Sequence, residues 1–189
     1  MIKKTALIFG ITGQDGSFLA KYLLKKNYLV TGVFRRNNLI NLKKLNLIKK
    51  IKLKLVKKND ASKIKKILKE NFNEIYFLGG QSSVIDSFYN ESITYFSQIN
   101  PIKIILNYIL NQKTKKSKLL FASSCEMYGN YNGKKKIKEN DIKQPESPYG
   151  LSKLISYEII KSYRQMYNLP VCSAILFNHE SPLRTERYV

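Results

Sequence analysis

Cysteine, histidine and acidic residues are all scarce in this chain. Its 189 residues include 2 cysteines and 1 histidine. Cys125 and Cys172 belong to no Cys/His cluster with metal-ligand spacing, which argues against a disulfide scaffold and against a structural metal site. Acidic residues number 13 against 34 basic ones, a formal charge of +21. Such an excess raises the question of a polyanionic partner. However, only five of the basic residues are arginine, whose planar fork suits phosphate recognition, and the lysines are scattered along the whole chain. The charge therefore reads as a solvated basic surface, and no nucleic-acid partner is expected. Long apolar runs are also missing, so no stretch is expected to span a bilayer. The start MIKKTALIFGI superficially resembles a signal peptide, but Thr12, Gln14 and Asp15 interrupt it and no small-residue cleavage site follows. A cytoplasmic protein without membrane contact is the expectation. There is no internal repeat, and no low-complexity linker beyond the polar, Lys-rich loop around 129–146. What is present, 43% hydrophobic and 12% aromatic residues, suits one globular domain over residues 1–189.

The apolar pattern alternates between two periods. TALIF (5–9) is a short continuous apolar run ending at Gly10, as expected of a strand buried on both faces. Phe18, Leu19, Tyr22 and Leu23 then recur at helical spacing, and YLVTGVF (28–34) reads as a second strand. IKLKLV (51–56) alternates charged and apolar residues, predicting a half-exposed strand near a sheet edge. A helix at 61–71, a strand at 74–79, a longer helix within about 92–112, a strand at 117–124, a helix from 148 and a strand at 171–177 complete the series. Pro101 falls inside the longer helical stretch, which predicts a kink or a helix start there. Strands separated by helices of this length imply a doubly wound parallel sheet of the Rossmann type.

Within that fold, the turn Gly10-Ile11-Thr12-Gly13-Gln14-Asp15-Gly16 joins the first strand to the first helix. Backbone N–H groups and the positive end of a helix suit a pyrophosphate there, and missing Cβ atoms permit close approach. The second strand ends in Arg35 and Arg36, where an acidic residue would favour NAD and arginine accommodates the 2′-phosphate of NADP. NADP is the expected cofactor. Solvated arginines at a strand end are the plainer alternative.

ASSCEMYG (122–129) follows a predicted strand, at the end of the sheet where such folds bind ligands. In SPYGLSK (147–153), Ser147 can cap a helix with Pro148 in its first turn. Tyr149 and Lys153 then share a helix face, and an ammonium near a phenol stabilises the phenolate. The same spacing occurs at Tyr22/Lys26, Tyr131/Lys135 and Tyr157/Lys161, so location alone distinguishes this pair. Ser124 could hydrogen-bond a substrate hydroxyl and Glu126 offers a second acid–base group. A capping serine, a surface glutamate and a surface Tyr/Lys pair would leave the same residues.

Six stretches carry a resemblance: GITGQDGSFLAKYLL, the Arg35-Arg36 pair, LGGQSSV (78–84), ASSCEMYG, SPYGLSK and LFNHESP (176–182). Together they resemble the extended short-chain dehydrogenase/reductases, and within them the GDP-mannose 4,6-dehydratase family. The resemblance implies that Gly10 through Asp15 hold the pyrophosphate, that Asp60 and Ala61 lie near the adenine, and that Leu78, Gly79, Gly80, Gln81 and Ser82 line the nicotinamide side. It adds His179 and Arg184 as cofactor contacts and Asn178 as a contact to the sugar nucleotide. Ser124, Glu126 and Tyr149 would be catalytic, with Lys153 orienting Tyr149 and the cofactor ribose; no metal is implied.

The implied reaction on GDP-mannose, or a related nucleotide sugar, is oxidation at C4, loss of water across C5 and C6, and reduction at C6. A related epimerase or reductase, or a non-catalytic NADP-binding protein, is the alternative. Departures from the family pattern are Ser83 for histidine, Ile93 for tyrosine, Ser124 for threonine, Cys125 for serine, Asn59 for glycine, and Leu183 and Thr185 in the SPLRTE stretch. The family continues past NHESP with elements that close over the sugar nucleotide. The resemblance therefore implies a cofactor-binding portion, C-terminally truncated, of a protein that is a homo-oligomer at full length.

Overall fold

The computed structural model describes residues 3–57, 60–130 and 136–184. Six strands, β1 (Thr5–Phe9), β2 (Leu29–Phe34), β3 (Lys52–Leu55), β4 (Glu74–Phe77), β5 (Lys118–Ser124) and β6 (Val171–Leu176), form one sheet. Their order is β3-β2-β1-β4-β5-β6, with every neighbouring pair parallel. The chain winds outward from β1 in one direction and from β4 in the other. This doubly wound arrangement leaves a crevice at the carboxyl ends of β1 and β4, where the winding reverses.

Side-chain alternation along β1 sends Ala6 and Ile8 to one face and Leu7 and Phe9 to the other. Ala6 and Ile8 join Ile11, Ala20, Leu23 and Leu42 under α1 (Gln14–Lys25) and α2 (Ile40–Lys44). Leu7 and Phe9 join Ile64, Ile105, Phe121 and Ile160 under α3 (Ala61–Leu68), α5 (Glu91–Leu110) and α6 (Pro148–Tyr167). Burial on both faces is why TALIF is apolar without a break, and each such Leu, Ile or Phe side chain contributes roughly 1.5–3 kcal/mol. The lysine-alternating β3 is the edge strand, as its pattern predicts.

Local differences from the sequence reading have local causes. The helix expected over 61–71 ends at Leu68, and Asn71 takes a left-handed φ of 56° that a helix cannot continue through. The 20-residue α5 starts at Glu91 and runs through Pro101, so the proline does not start it. Two short helices had no visible period: α2 has five residues, and α4 (Val84–Tyr89) has six and is capped by Ser83 Oγ accepting from Asp86 N at 3.1 Å. Asn59, Thr185 and the Tyr131/Lys135 pair lie outside the described residues. Among the described residues, no helix is long and apolar enough to cross a membrane.

Candidate active site

The glycine turn is built by close approach. Gly10 has φ +80°, and a Cβ there would sit 2.6 Å from the Leu78 carbonyl oxygen at the end of β4. A Cβ on Gly16 would sit 2.8 Å from the Ile11 Cα, and one on Gly32 2.5 Å from the Ile11 side chain. The turn is thus wedged between β2 and β4. It is pinned by Gly10 N donating to Val33 O at 3.0 Å and Ser17 Oγ donating to Ile11 O at 3.0 Å. Gly13 is the N-cap of α1 and supplies no side-chain cap, so the first-turn amides, which lack intrahelical partners, remain available to an anion.

This turn opens onto a cleft of about 530 Å³. Of the predicted cofactor residues, Gly10, Thr12, Gly13, Asp15, Arg35, Arg36, Leu78, Gly79, Gly80, Gln81, Ser82 and Lys153 line it. Ile11, Gln14, Gly16, Asp60, Ala61, His179 and Arg184 do not. Ile11 is fully buried beneath α1. Asp60 caps α3, its Oδ1 accepting from Ser62 N at 3.0 Å and Lys63 N at 3.1 Å. The Lys63 backbone N–H, ahead of the Ser62 hydroxyl, holds this carboxyl below its usual value.

His179 and Arg184 form a rim over the start of α1. His179 Nε2 contacts Asp15 Oδ1 at 2.7 Å and its Nδ1 contacts Phe177 O at 2.8 Å. Both partners are acceptors, so both contacts are satisfied together only by the imidazolium, and the Phe177 carbonyl, then Asp15, raise the histidine pKa. The carbonyl of His179 accepts from Gln14 Nε2 at 3.4 Å and from Arg184 Nη1 at 3.1 Å.

The reaction-centre candidates meet where β5 ends against α6. Ser147 Oγ caps α6 by accepting from Gly150 N at 3.0 Å, and Pro148 occupies the first turn. Gly150 packs on the 3₁₀ turn Cys125–Tyr128, where a Cβ would lie 2.6 Å from the Glu126 carbonyl oxygen. That contact sets Tyr149 beside Ser124, and both side chains line the cleft. Ser124 Oγ also accepts from Glu126 N at 3.2 Å.

Burial, eased by the nearby Ser124 hydroxyl and reinforced by the Glu126 carboxylate, pushes the Tyr149 phenol up to about 12. Burial alone pushes the Lys153 ammonium down to about 7. Lys153 Nζ donates to Ala122 O at 2.7 Å and lies 5.6 Å from the Tyr149 ring centre. Burial thus opposes the charged form of both side chains. Ser124, Tyr149, Lys153 and Asn178 line the cleft, whereas Glu126 stands behind Ser124 outside its lining.

Sequence reasoning did not single out Ser97 and Gln98, which line the cleft from α5. Ser97 Oγ accepts from Gln81 N at 3.0 Å, and Gln98 Nε2 donates to Gln81 O at 2.8 Å. Two adjacent polar residues in a helix read as surface, and only their burial at 1% exposure marks them. The carboxamide oxygens of Gln81 and Gln98, which line the cleft, are buried without a protein donor. Together with the Cβ-free cradle at Gly10, these oxygens fit a dinucleotide that carries both a diphosphate and hydrogen-bond donors.

A family model described as GDP-mannose 4,6 dehydratase matches residues 7–189. The chain is 39% identical to the GDP-mannose 4,6-dehydratase of Vibrio cholerae over 100% of its own length and 53% of that protein. It is 37% identical to the GDP-mannose 4,6 dehydratase of Homo sapiens over 99% of its length and 53% of the other. It thus spans about half the length of the relatives it matches. Among solved structures, Pal from Bacillus thuringiensis superposes with a TM-score of 0.85 at 24% identity, covering 96% of this chain and 58% of the other. The dTDP-glucose 4,6-dehydratase of Bacillus anthracis, solved in complex with NAD, superposes at 0.82 with 21% identity over 97% and 58%. These structural likenesses speak to the fold, whereas the match over residues 7–189 reaches the motifs that line the cleft: the chain belongs to the GDP-mannose 4,6-dehydratase family.

Proposed function

We propose that this chain is the cofactor-binding and catalytic portion of a nucleotide-sugar 4,6-dehydratase that uses NADP and acts on GDP-mannose. The observation that carries the reading is that Ser124, Tyr149 and buried Lys153 meet on one cleft at the reversal of the sheet, with Glu126 joined to Ser124 through its backbone N–H. The names of the relatives support the sugar and the reaction, and Arg35 and Arg36 at the end of β2 support the 2′-phosphate form of the cofactor.

The turn from Gly10 to Gly16 and the amino end of α1 would hold the diphosphate, while Leu78 through Ser82 would border the nicotinamide. A cofactor held there would supply a reversible hydride acceptor for oxidation at C4 and reduction at C6. Ser124 holds the C4 hydroxyl against Tyr149, and Tyr149 accepts its proton. As burial raises the phenol's pKa, that step requires Lys153 charged and turned toward the ring. The C4 ketone acidifies the C5 proton, which Glu126 removes and passes to the hydroxide leaving C6, so that water departs; the proton held by Tyr149 balances the one C5 regains when C6 is reduced. Moving such a base by about an ångström can cost roughly a hundredfold in rate, consistent with the rigid Gly150 contact under Tyr149. Incubating the full-length protein with GDP-mannose and NADP tests the reading. A 4-keto-6-deoxy product is expected; its absence, with other nucleotide sugars turned over, rejects the substrate.

A further inference from the structure

Arg35 Nη2 donates to the carbonyl oxygen of Gly80 at 2.8 Å. The two residues follow β2 and β4, which are not neighbours, since β1 lies between them. The guanidinium therefore crosses the carboxyl end of β1, above the glycine turn, and both residues line the cleft. Arg35 is itself solvent-exposed, so the bond is a bridge across the mouth of the cleft and not part of the core.

The loop that Arg35 grips is held from the opposite side as well. Gln81 N donates to Ser97 Oγ and Gln81 O accepts from Gln98 Nε2. Gly80 has φ +114°, and a Cβ there would strike the Gln98 carboxamide. The Gly79–Gln81 segment is thus clamped between α5 below and one arginine above. The clamp leaves its polar network incomplete, because Gln81 Oε1 and Gln98 Oε1 are buried without donors.

We infer that Arg35 is a strap across the mouth of the cleft, and that a 2′-phosphate opens it by drawing the guanidinium away from Gly80. A guanidinium pairs more strongly with a phosphate dianion, in a two-pronged charge-assisted contact, than with a neutral carbonyl. A ligand bearing that phosphate replaces the bond it breaks with a better one. A ligand lacking it breaks the bond without replacement. Selectivity for the phosphorylated dinucleotide then has two sources, attraction to the 2′-phosphate and exclusion of its unphosphorylated counterpart, and the freed Gly80 carbonyl carries the event to the loop bordering the nicotinamide. Arg36 lines the same cleft and supplies a second cation, so removing Arg35 does not leave a phosphate unanswered.

The inference rests on the NADP reading above, and its test separates the two. Equilibrium binding of NADP and NAD is measured on the wild-type chain and on Arg35→Ala and Arg35→Lys. Hydrogen exchange at residues 80–82 is followed with and without adenosine 2′,5′-bisphosphate. The strap predicts that Arg35→Ala binds NAD about fivefold more tightly than the wild type and NADP about tenfold more weakly. It also predicts that the bisphosphate speeds exchange at 80–82 in the wild type, and that Arg35→Ala shows the fast rate without ligand. Arg35→Lys keeps a cation but lacks the terminal Nη2 that reaches Gly80 O, so it should also gain NAD affinity. Wild-type preference for NADP with no gain of NAD affinity in either variant overturns the strap and leaves the cofactor reading standing. A wild type that binds neither dinucleotide, or that shows no preference for NADP, overturns both.

Discussion

The ammonium nitrogen of Lys153 lies 5.6 Å from the centre of the Tyr149 ring, one helical turn away, yet donates its hydrogen bond to the Ala122 carbonyl. Sharing a helix face brings the two side chains together but does not by itself ionise them. Burial lowers the lysine and raises the tyrosine, so desolvation opposes charging either partner.

Lys153 should make the ligand-free chain less stable below neutrality. Its folded pKa, about 7, is depressed from the model-compound value of 10.5. Between those values the unfolded chain binds more protons, so this contribution is fully present above 10.5 and is lost as pH falls through about 7. Lys153→Met should therefore stabilise the chain at pH 6, on the order of 1–4 kcal/mol. The gain should shrink by pH 9.5 in urea denaturation; an equal gain at both pH values would refute the account.

Gly150→Ala places a methyl group 2.6 Å from the Glu126 carbonyl oxygen and 3.0 Å from Pro145 Cβ. Neither neighbour is the free end of a flexible chain. The first turn of α6 must shift, at a cost of about 1–3 kcal/mol, and Tyr149 moves with it. Turnover of the full-length protein should fall roughly a hundredfold, a far larger loss than the fall in melting temperature suggests.

Glu126→Gln discriminates between nucleotide-sugar reactions, since an epimerase needs no C5/C6 elimination. A dehydratase should lose product formation by about 10²–10⁴-fold while still oxidising C4. Reduced cofactor should then accumulate in a single-turnover absorbance trace. Unimpaired product formation by the variant would instead favour the epimerase or reductase reading.

The chain has one histidine, so a proton NMR titration reports on His179 without ambiguity. Its raised pKa means that the stabilisation from holding the imidazolium is fully present below the ordinary value of 6.5 and is lost as pH rises through the folded value. Asp15→Asn should lower the titration midpoint while the Phe177 carbonyl keeps part of the elevation. An unchanged midpoint would show that the Asp15 contact does not form in solution.

Much of this architecture is legible in one dimension. TALIF is continuously apolar because β1 packs on both faces, and KLKL alternates because β3 packs only the face carrying Leu53 and Leu55 against the core. Ser147-Pro148 announces the start of α6 through capping chemistry that needs no distant partner. The readings that remain proposals are those whose chemistry depends on distant atoms. Asp60 resembles a ligand by position but is engaged in capping α3. Ser97 and Gln98 resemble surface residues but are buried against the Gly80 loop, because α5 turns that face toward the cleft.

The order of residues along the chain thus dictates the sheet, its winding and the ends where ligands could enter, because hydrophobic period, caps and glycine turns act over a few neighbours. The charge states of Tyr149 and Lys153, the grip of Arg35 on Gly80 and the packing of Gly150 on Glu126 belong to the folded molecule. Desolvation and hydrogen-bond geometry depend on which atoms meet in space, and in this molecule they join residues that lie from 24 to 45 positions apart in the chain.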